Sequence, residues 1–259
     1  MRVLVACELS GVVRDAFVRA GHSAYSCDIE DSESRGLHYK GDVLDLLEGW
    51  APVRFSQECQ ELQDDVDLEF CPVSMVESCC CYCYGPTQEG IEYKEVEGGL
   101  LGRPVARPHW DLIIAHPPCT YLCSSGLHWN KRIEGRTQKT EDALRFVWTL
   151  LDAPCEKIAL ENPRGCIGTR IRHSDQVIQP YQFGHDASKE THLWLKNLPI
   201  LEPTGEILPR WVDGKPRWAN QLDSGQNRLG PSKDRARIRS RTYKGIAAAM
   251  AAQWGDLDV

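Results

Sequence analysis

Two residues in this chain are placed where covalent chemistry is feasible: Cys119, directly after Pro117-Pro118, and Glu161, which opens Glu161-Asn162-Pro163. A thiolate is a soft nucleophile suited to adding to an electron-poor ring carbon. A carboxyl group beside it can hydrogen-bond the ring as charge develops. Addition to a pyrimidine at carbon 6, with ring N3 and the exocyclic amine held by the carboxyl group, needs one of each. A lone cysteine reads more simply as a buried, inert thiol, so the pairing carries the chemistry.

The flanking sequence sets both groups at the edge of a sheet. Asp111-Leu112-Ile113-Ile114-Ala115 is an apolar strand that His116-Pro117-Pro118-Cys119 stops, since two prolines cannot continue a ladder. Glu141 to Asp152 carries Ala143, Leu144, Val147, Leu150 and Leu151 at helical spacing, and Lys157-Ile158-Ala159-Leu160 forms the next strand, ending at Glu161. Toward the N-terminus, Val3-Leu4-Val5-Ala6-Cys7 reads as a strand, Glu8-Leu9-Ser10-Gly11 as a tight turn, and Val12, Val13, Ala16, Phe17 and Ala20 as one face of a helix stopped by Gly21. Ala24 to Cys27 before Asp28-Ile29, and Leu37 to Lys40 before Gly41-Asp42-Val43, give two more short strands. This β-α-β order predicts an α/β domain with a mainly parallel sheet and helices on both faces. Ligands then bind at the carboxyl ends of the strands, where Gly11, Asp28 and Asp42 fall.

The chain divides into residues 1–49, a first part of the catalytic α/β domain; 50–109, an inserted acidic, cysteine-rich subdomain; 110–196, the second part; 197–232, a small proline-interrupted region; and 233–259, a basic segment with a closing helix. At 259 residues the chain can bury a substantial core, and it has no run of 18 apolar residues. With no secretion signal, it is expected to be soluble and cytoplasmic, with reduced thiols for most of its 12 cysteines. A net charge of −7 argues against a protein that coats nucleic acid. The charge is uneven, however. Glu58 to Glu69 is acidic, and Arg228 to Lys244 is basic, so a polyanion would meet the C-terminal end.

Pro118-Cys119 after a hydrophobic strand and Glu161-Asn162-Pro163 on the next resemble the Pro-Cys and Glu-Asn-Val motifs of the cytosine-5 DNA methyltransferases. His116-Pro117-Pro118-Cys119-Thr120 and the closing Gly245 to Ala251 helix are most similar to compact, phage-type members. The resemblance covers most of the catalytic core and implies a Rossmann-like methyltransferase fold using S-adenosyl-L-methionine. It implies Cys7, Glu8, Leu9, Ser10, Gly11, Asp28, Ile29, Asp42, Val43, His116 and Pro117 around that cofactor, with Asp28 on the ribose and Asp42 on the adenine amine. Cys119 and Glu161 are implied to be catalytic. Lys189 is the cation nearest the place where the family carries Gln-x-Arg-x-Arg, and residues 197–232 stand for the family's larger target-recognition region. The implied partner is double-stranded DNA with a cytosine flipped from the stack, bound by a monomer.

Cys71, Cys80, Cys81 and Cys83 could surround one structural zinc, or form a cysteine-rich loop without metal. Arg235, Arg237, Arg239 and Arg241 alternate, which in an extended segment sets them on one face toward DNA phosphates. Three rivals share parts of this pattern: an adenine N6 or cytosine N4 amino-methyltransferase, whose Asp-Pro-Pro-Tyr resembles His116 to Cys119; carbon-5 methylation of a free cytosine nucleotide; and a non-catalytic zinc-bearing nucleic-acid binder.

Overall fold

The computed structural model describes residues 1–48, 51–52, 91–96, 99–104 and 110–257. The apolar run near the N-terminus forms β1 (Arg2–Ala6), followed by α1 (Val12–Arg19), β2 (Ser23–Asp28), β3 (His38–Lys40) and α2 (Val43–Leu47). Three strands, β4 (Ala51–Pro52), β5 (Ile91–Val96) and β6 (Gly99–Pro104), pair antiparallel in a sheet of their own, in the order β4-β6-β5. The chain then returns with β7 (Leu112–Ala115), α3 (Ser124–Leu127), α4 (Arg136–Leu151), β8 (Lys157–Pro163), α5 (Ile167–Arg170), β9 (Gln176–Ile178) and β10 (Thr191–Lys196). A hairpin of β11 (Arg210–Val212) and β12 (Lys215–Arg217) and the helices α6 (Arg235–Ser240) and α7 (Lys244–Trp254) complete it.

The central sheet has the order β3-β2-β1-β7-β8-β10-β9. The neighbours from β3 to β8 run parallel, and β10 is antiparallel to both β8 and β9. This is an α/β, Rossmann-like fold with a mainly parallel sheet. Alternation along the strands divides the core in two. Leu4, Ala6, Ile113, Ala115, Ile158 and Leu160 face α2 and α4, and Val3, Val5, Leu112, Ile114 and Ala159 face α1 and α7. Fully buried Phe17 of α1 and Trp254 of α7 anchor the second layer, each worth roughly 1.5–3 kcal/mol of burial. No helix among the described residues is long and apolar enough to cross a membrane.

Two elements differ from the sequence reading. The helix expected from Glu141 begins at Arg136, because left-handed Gly135 (φ 73°) lets the chain turn into it earlier. The strand expected to end at Glu161 runs on through Pro163. Its parallel partner β7 stops at Ala115, opposite Leu160, but antiparallel β10 continues the ladder, pairing Leu193 with Glu161 and Thr191 with Pro163. Glu161 is therefore held in a strand while projecting one residue past its parallel neighbour.

Candidate active site

The register of β7 and β8 sets His116 beside Glu161, and the side chains meet: His116 Nδ1 donates to Glu161 Oε2 at 3.2 Å. Because β10 runs the opposite way, its first residues arrive at this same edge. Lys189 and Thr191 accordingly act on Glu161 as well. Burial favours the neutral acid. The His116 hydrogen bond, the Lys189 charge and the Thr191 hydroxyl outweigh it, holding Glu161 below the usual carboxylate range and hence ionised at neutral pH. Buried Thr191 has no motif that would single it out in the sequence. Its role follows from strand direction alone.

Cys119 opens a 3-10 turn (Cys119–Tyr121) after β7 and feels both the Glu161 carboxylate and the Lys189 ammonium. The three candidate catalytic groups thus converge. What brings their loops together is Gly165: a Cβ there would lie 1.9 Å from the Leu122 carbonyl oxygen, so only glycine lets the segment after β8 dock on the one after β7. Cys166 N–H to Leu122 O (2.8 Å) and Ser124 N–H to Arg164 O (3.0 Å) fasten the two segments. Asn162 ties them again from below, donating from Nδ2 to the Pro117 carbonyl at 2.7 Å.

The sequence gives no reason for Cys123 to face the site. Its N–H donates to the Cys119 carbonyl at 2.9 Å, one turn on, and its sulfur lies 3.2 Å from the Ser125 hydroxyl.

The residues expected around a cofactor line the ends of β1, β2, β3 and β7, but they are not equally free. Cys7 leaves β1 in a left-handed turn (φ 58°), with its thiol near Asp28 and Asp42; burial and those two carboxylates push it up to about 12. Asp28 Oδ1 accepts from the Glu30 N–H at 3.1 Å, and Ile29 beside it is 78% exposed. Pro117 is buried, and its carbonyl is used by Asn162. Leu9 likewise lends its carbonyl to the Glu33 N–H (2.8 Å).

Glu8 needs correction as a cofactor ligand through its side chain. It is 4% exposed, and its carboxylate caps α1, accepting from Val13 N–H (2.7 Å), Arg14 N–H (3.2 Å) and the Ser10 hydroxyl (3.2 Å). Gly11, too, serves the fold. Its φ is 69°, and a Cβ would meet Ser34 Oγ at 2.1 Å. Asp42 Oδ1 caps α2 through Leu44 N–H (3.0 Å), and the Val43 side chain is in the core, leaving only its backbone to a ligand.

The arginine run also needs correction. Residues 235–240 form a helix, so alternate residues diverge and i, i+4 pairs align. Arg237 and Arg241 together grip Glu33, with Arg241 Nη2 2.6 Å from Glu33 Oε2, so a phosphate would have to compete with that carboxylate; among the described residues Arg235 and Arg239 carry no such ion pair. Lys189 Nζ donates to the Arg241 carbonyl at 3.5 Å, which joins this segment to the catalytic edge. The proposed zinc ligands Cys71, Cys80, Cys81 and Cys83 lie outside the described residues. Among the described residues no metal-binding cluster gathers.

No family model matches the chain, and no curated protein matches it. Among solved structures, it is similar to a prophage-encoded E. coli protein described as a DNA modification methyltransferase, with 13% identity and a TM-score of 0.37. The match covers 80% of this chain and 52% of that one, so the chain spans about half the length of that neighbour. A likeness this slight assigns neither fold nor activity, and the fold rests on the strand order above.

Proposed function

We propose that this chain is an S-adenosylmethionine-dependent DNA methyltransferase acting at carbon 5 of cytosine, with Cys119 as covalent nucleophile and Glu161 holding the base. The observation that carries the reading is the meeting of Cys119, an ionised Glu161 and Lys189 at the carboxyl edge of a Rossmann-like sheet. Two features suit an adenosyl-sulfonium ligand beside it. Ile29 offers an exposed apolar surface next to Asp28, and His116 Nε2 and Asn162 Oδ1 are buried without a partner among the described residues. Asp28 would then take the ribose hydroxyls, Asp42 the adenine amine, and the backbone from Cys7 to Ser10 the methionine end. The cofactor, when bound, supplies an electrophilic methyl group.

The chain's own residues supply the rest. The Cys119 sulfur forms a bond to carbon 6 of a flipped cytosine, and the electron pair of the 5,6 double bond moves to carbon 5, which becomes nucleophilic. Glu161 accepts from the exocyclic amine while His116 fixes its other oxygen, and Lys189 offsets the negative charge that spreads through the ring. After carbon 5 has gained the methyl group, its proton leaves and the Cys119–carbon 6 bond breaks, releasing 5-methylcytosine. DNA is the proposed partner, met by Arg235 and Arg239 and by the hairpin region 197–232. Incubation of duplex DNA with the protein and methyl-labelled cofactor should place the label in 5-methylcytosine on nucleoside mass analysis. Label in N6-methyladenine or N4-methylcytosine would replace this reading with amino-methylation.

A further inference from the structure

A cavity of about 160 Å³ lies on the face of β8 and β10 opposite the Glu161 side chain. His192 and Trp194 of β10 line it, and they alternate with Leu193, the register partner of Glu161. Arg164, just past β8, Gly168 of α5, and His173 and Ser174 before β9 belong to its wall as well. The volume falls below the roughly 300–1,000 Å³ of pockets that enclose a whole drug-sized ligand, so the cavity suits a single chemical group.

The wall says which group. Its acidic neighbours are already paired: Glu141 holds Arg170 at 2.9 Å, Asp175 holds Arg172 at 2.7 Å, and Glu190 accepts from His192 Nε2 at 2.9 Å. Arg164 is not. Its guanidinium has no hydrogen-bond or ion-pair partner among the described residues, and the uncompensated charge of the wall is therefore positive. His192 Nδ1 lies 2.9 Å from Ser174 Oγ, so the chain from Glu190 through His192 fixes a hydroxyl at the wall. The His192 and Trp194 rings stack behind it, with centroids 5.9 Å apart. Gly168 adds an independent sign. A Cβ there would meet no atom within 4 Å, so nothing in the fold requires glycine in this helix, where it is less stable than alanine. Its missing side chain keeps the cavity open.

We propose that this cavity binds a phosphate group, held by the Arg164 guanidinium and by hydrogen bonds from Ser174 and His173. A planar guanidinium fork beside a hydroxyl matches the oxygens of a phosphate, and an apolar floor strengthens the pairing. Arg164 also fastens the cavity to the catalytic edge. Its carbonyl accepts from the N–H (3.0 Å) and the hydroxyl (3.1 Å) of Ser124, in the segment that follows Cys119. The phosphate has two sources, the backbone of a nucleic acid or a free phosphate. The first rests on the DNA methyltransferase reading, and the second does not.

The test uses the intact protein as wild type, Arg164→Gln and Gly168→Ala, each with two probes. Inorganic phosphate is followed by thermal unfolding against chloride of equal ionic strength, and a short DNA duplex by fluorescence anisotropy across a salt series. In wild type, phosphate should raise the unfolding midpoint above the chloride control, and both variants should lose that rise. Without ligand, Gly168→Ala should unfold no earlier than wild type, because alanine favours the helix; this separates a filled cavity from a damaged fold. If it does unfold early, Ser174→Ala takes its place. On the duplex, Arg164→Gln should weaken binding about 10-fold and lower the slope of log affinity against log salt by about 1, and Gly168→Ala should weaken it too. A response to both probes, or to the duplex alone, assigns the site to backbone phosphate. A response to inorganic phosphate alone assigns it to a free phosphate. Variants that match wild type with both probes would overturn the proposal, and so would a loss confined to Arg164→Gln, which reports a surface charge and not a cavity. A lost phosphate response in a protein that methylates no DNA leaves the site standing and sinks the methyltransferase reading. Methylation with neither probe altered does the reverse.

Discussion

The two halves of the sheet's carboxyl edge spend their polar groups differently. At the ends of β1 to β3 the chain satisfies itself: Glu8 caps α1, Asp42 caps α2, and fully buried Arg14 holds the loop after β2 through Ser26 Oγ (3.0 Å), Ser34 Oγ (2.6 Å) and the Arg35 carbonyl (2.7 Å). At the ends of β7, β8 and β10 it does not. His116 Nε2 and Asn162 Oδ1 are buried without partners among the described residues, and Cys119, Glu161 and Lys189 are set against one another. Self-satisfied polar groups report on stability, and groups left over report on a ligand or a reaction. Substitutions in the first half should therefore cost mainly stability, and those in the second mainly activity.

The largest effect should come from Glu161→Gln, which keeps the shape but removes the charge facing the ring. Methyl transfer should fall about 10²- to 10³-fold in single turnover, with little change in unfolding midpoint. Full activity would remove Glu161 from the chemistry. In the other half, Glu8→Ala strips buried N–H groups of their acceptor and should cost about 1–3 kcal/mol in urea unfolding, with activity per folded molecule retained. If stability held and cofactor binding vanished, Glu8 would belong to the site and not to the helix cap.

Asp42 lies on the border of the two classes. Asp42→Ala should lose about 1 kcal/mol of cap stability and about 1–3 kcal/mol of cofactor affinity by calorimetry. Unchanged affinity would make it a cap alone. A smaller effect is carried by pH. Glu161 is held below its ordinary value in the folded chain, so its pairing with His116 and Lys189 stabilises the fold above about pH 4.3 and is lost as pH falls through the lower folded value. Wild type should accordingly lose stability relative to Glu161→Gln between pH 5 and pH 2. A difference that stays constant across that range would contradict an ionised, paired Glu161.

Much of this was legible in the sequence, because continuous apolar runs and helical spacing are local signals. The apolar runs Val3 to Ala6 and Leu112 to Ala115 form strands, and the apolar spacing through Trp254 forms the closing helix, where the sequence places them. What was not legible depends on partners distant in sequence. β8 extends past Leu160 only because β10 pairs with it, and Glu33, roughly two hundred residues away, is what engages Arg237 and Arg241. Alternating arginines suit an extended face equally well until the backbone coils, and then they separate. The approach of the Cys119 and Cys123 backbones was not legible for a related reason, since a tight turn after two prolines brings i and i+4 together without any helical period to announce it.

The central claim is that Cys119 forms a bond to carbon 6 of cytosine, and trapping tests it most directly. Fluorine at carbon 5 cannot leave as the proton does, so duplex DNA containing 5-fluorocytosine should become covalently joined to the wild-type chain in the presence of S-adenosylmethionine, with the link at Cys119 on peptide mapping. Cys119→Ser should form no adduct while binding the cofactor nearly as well, because an alcohol at neutral pH is a far weaker nucleophile than a thiolate. No adduct with wild type, an adduct mapped to Cys123, or sustained methylation by the serine variant would contradict the account.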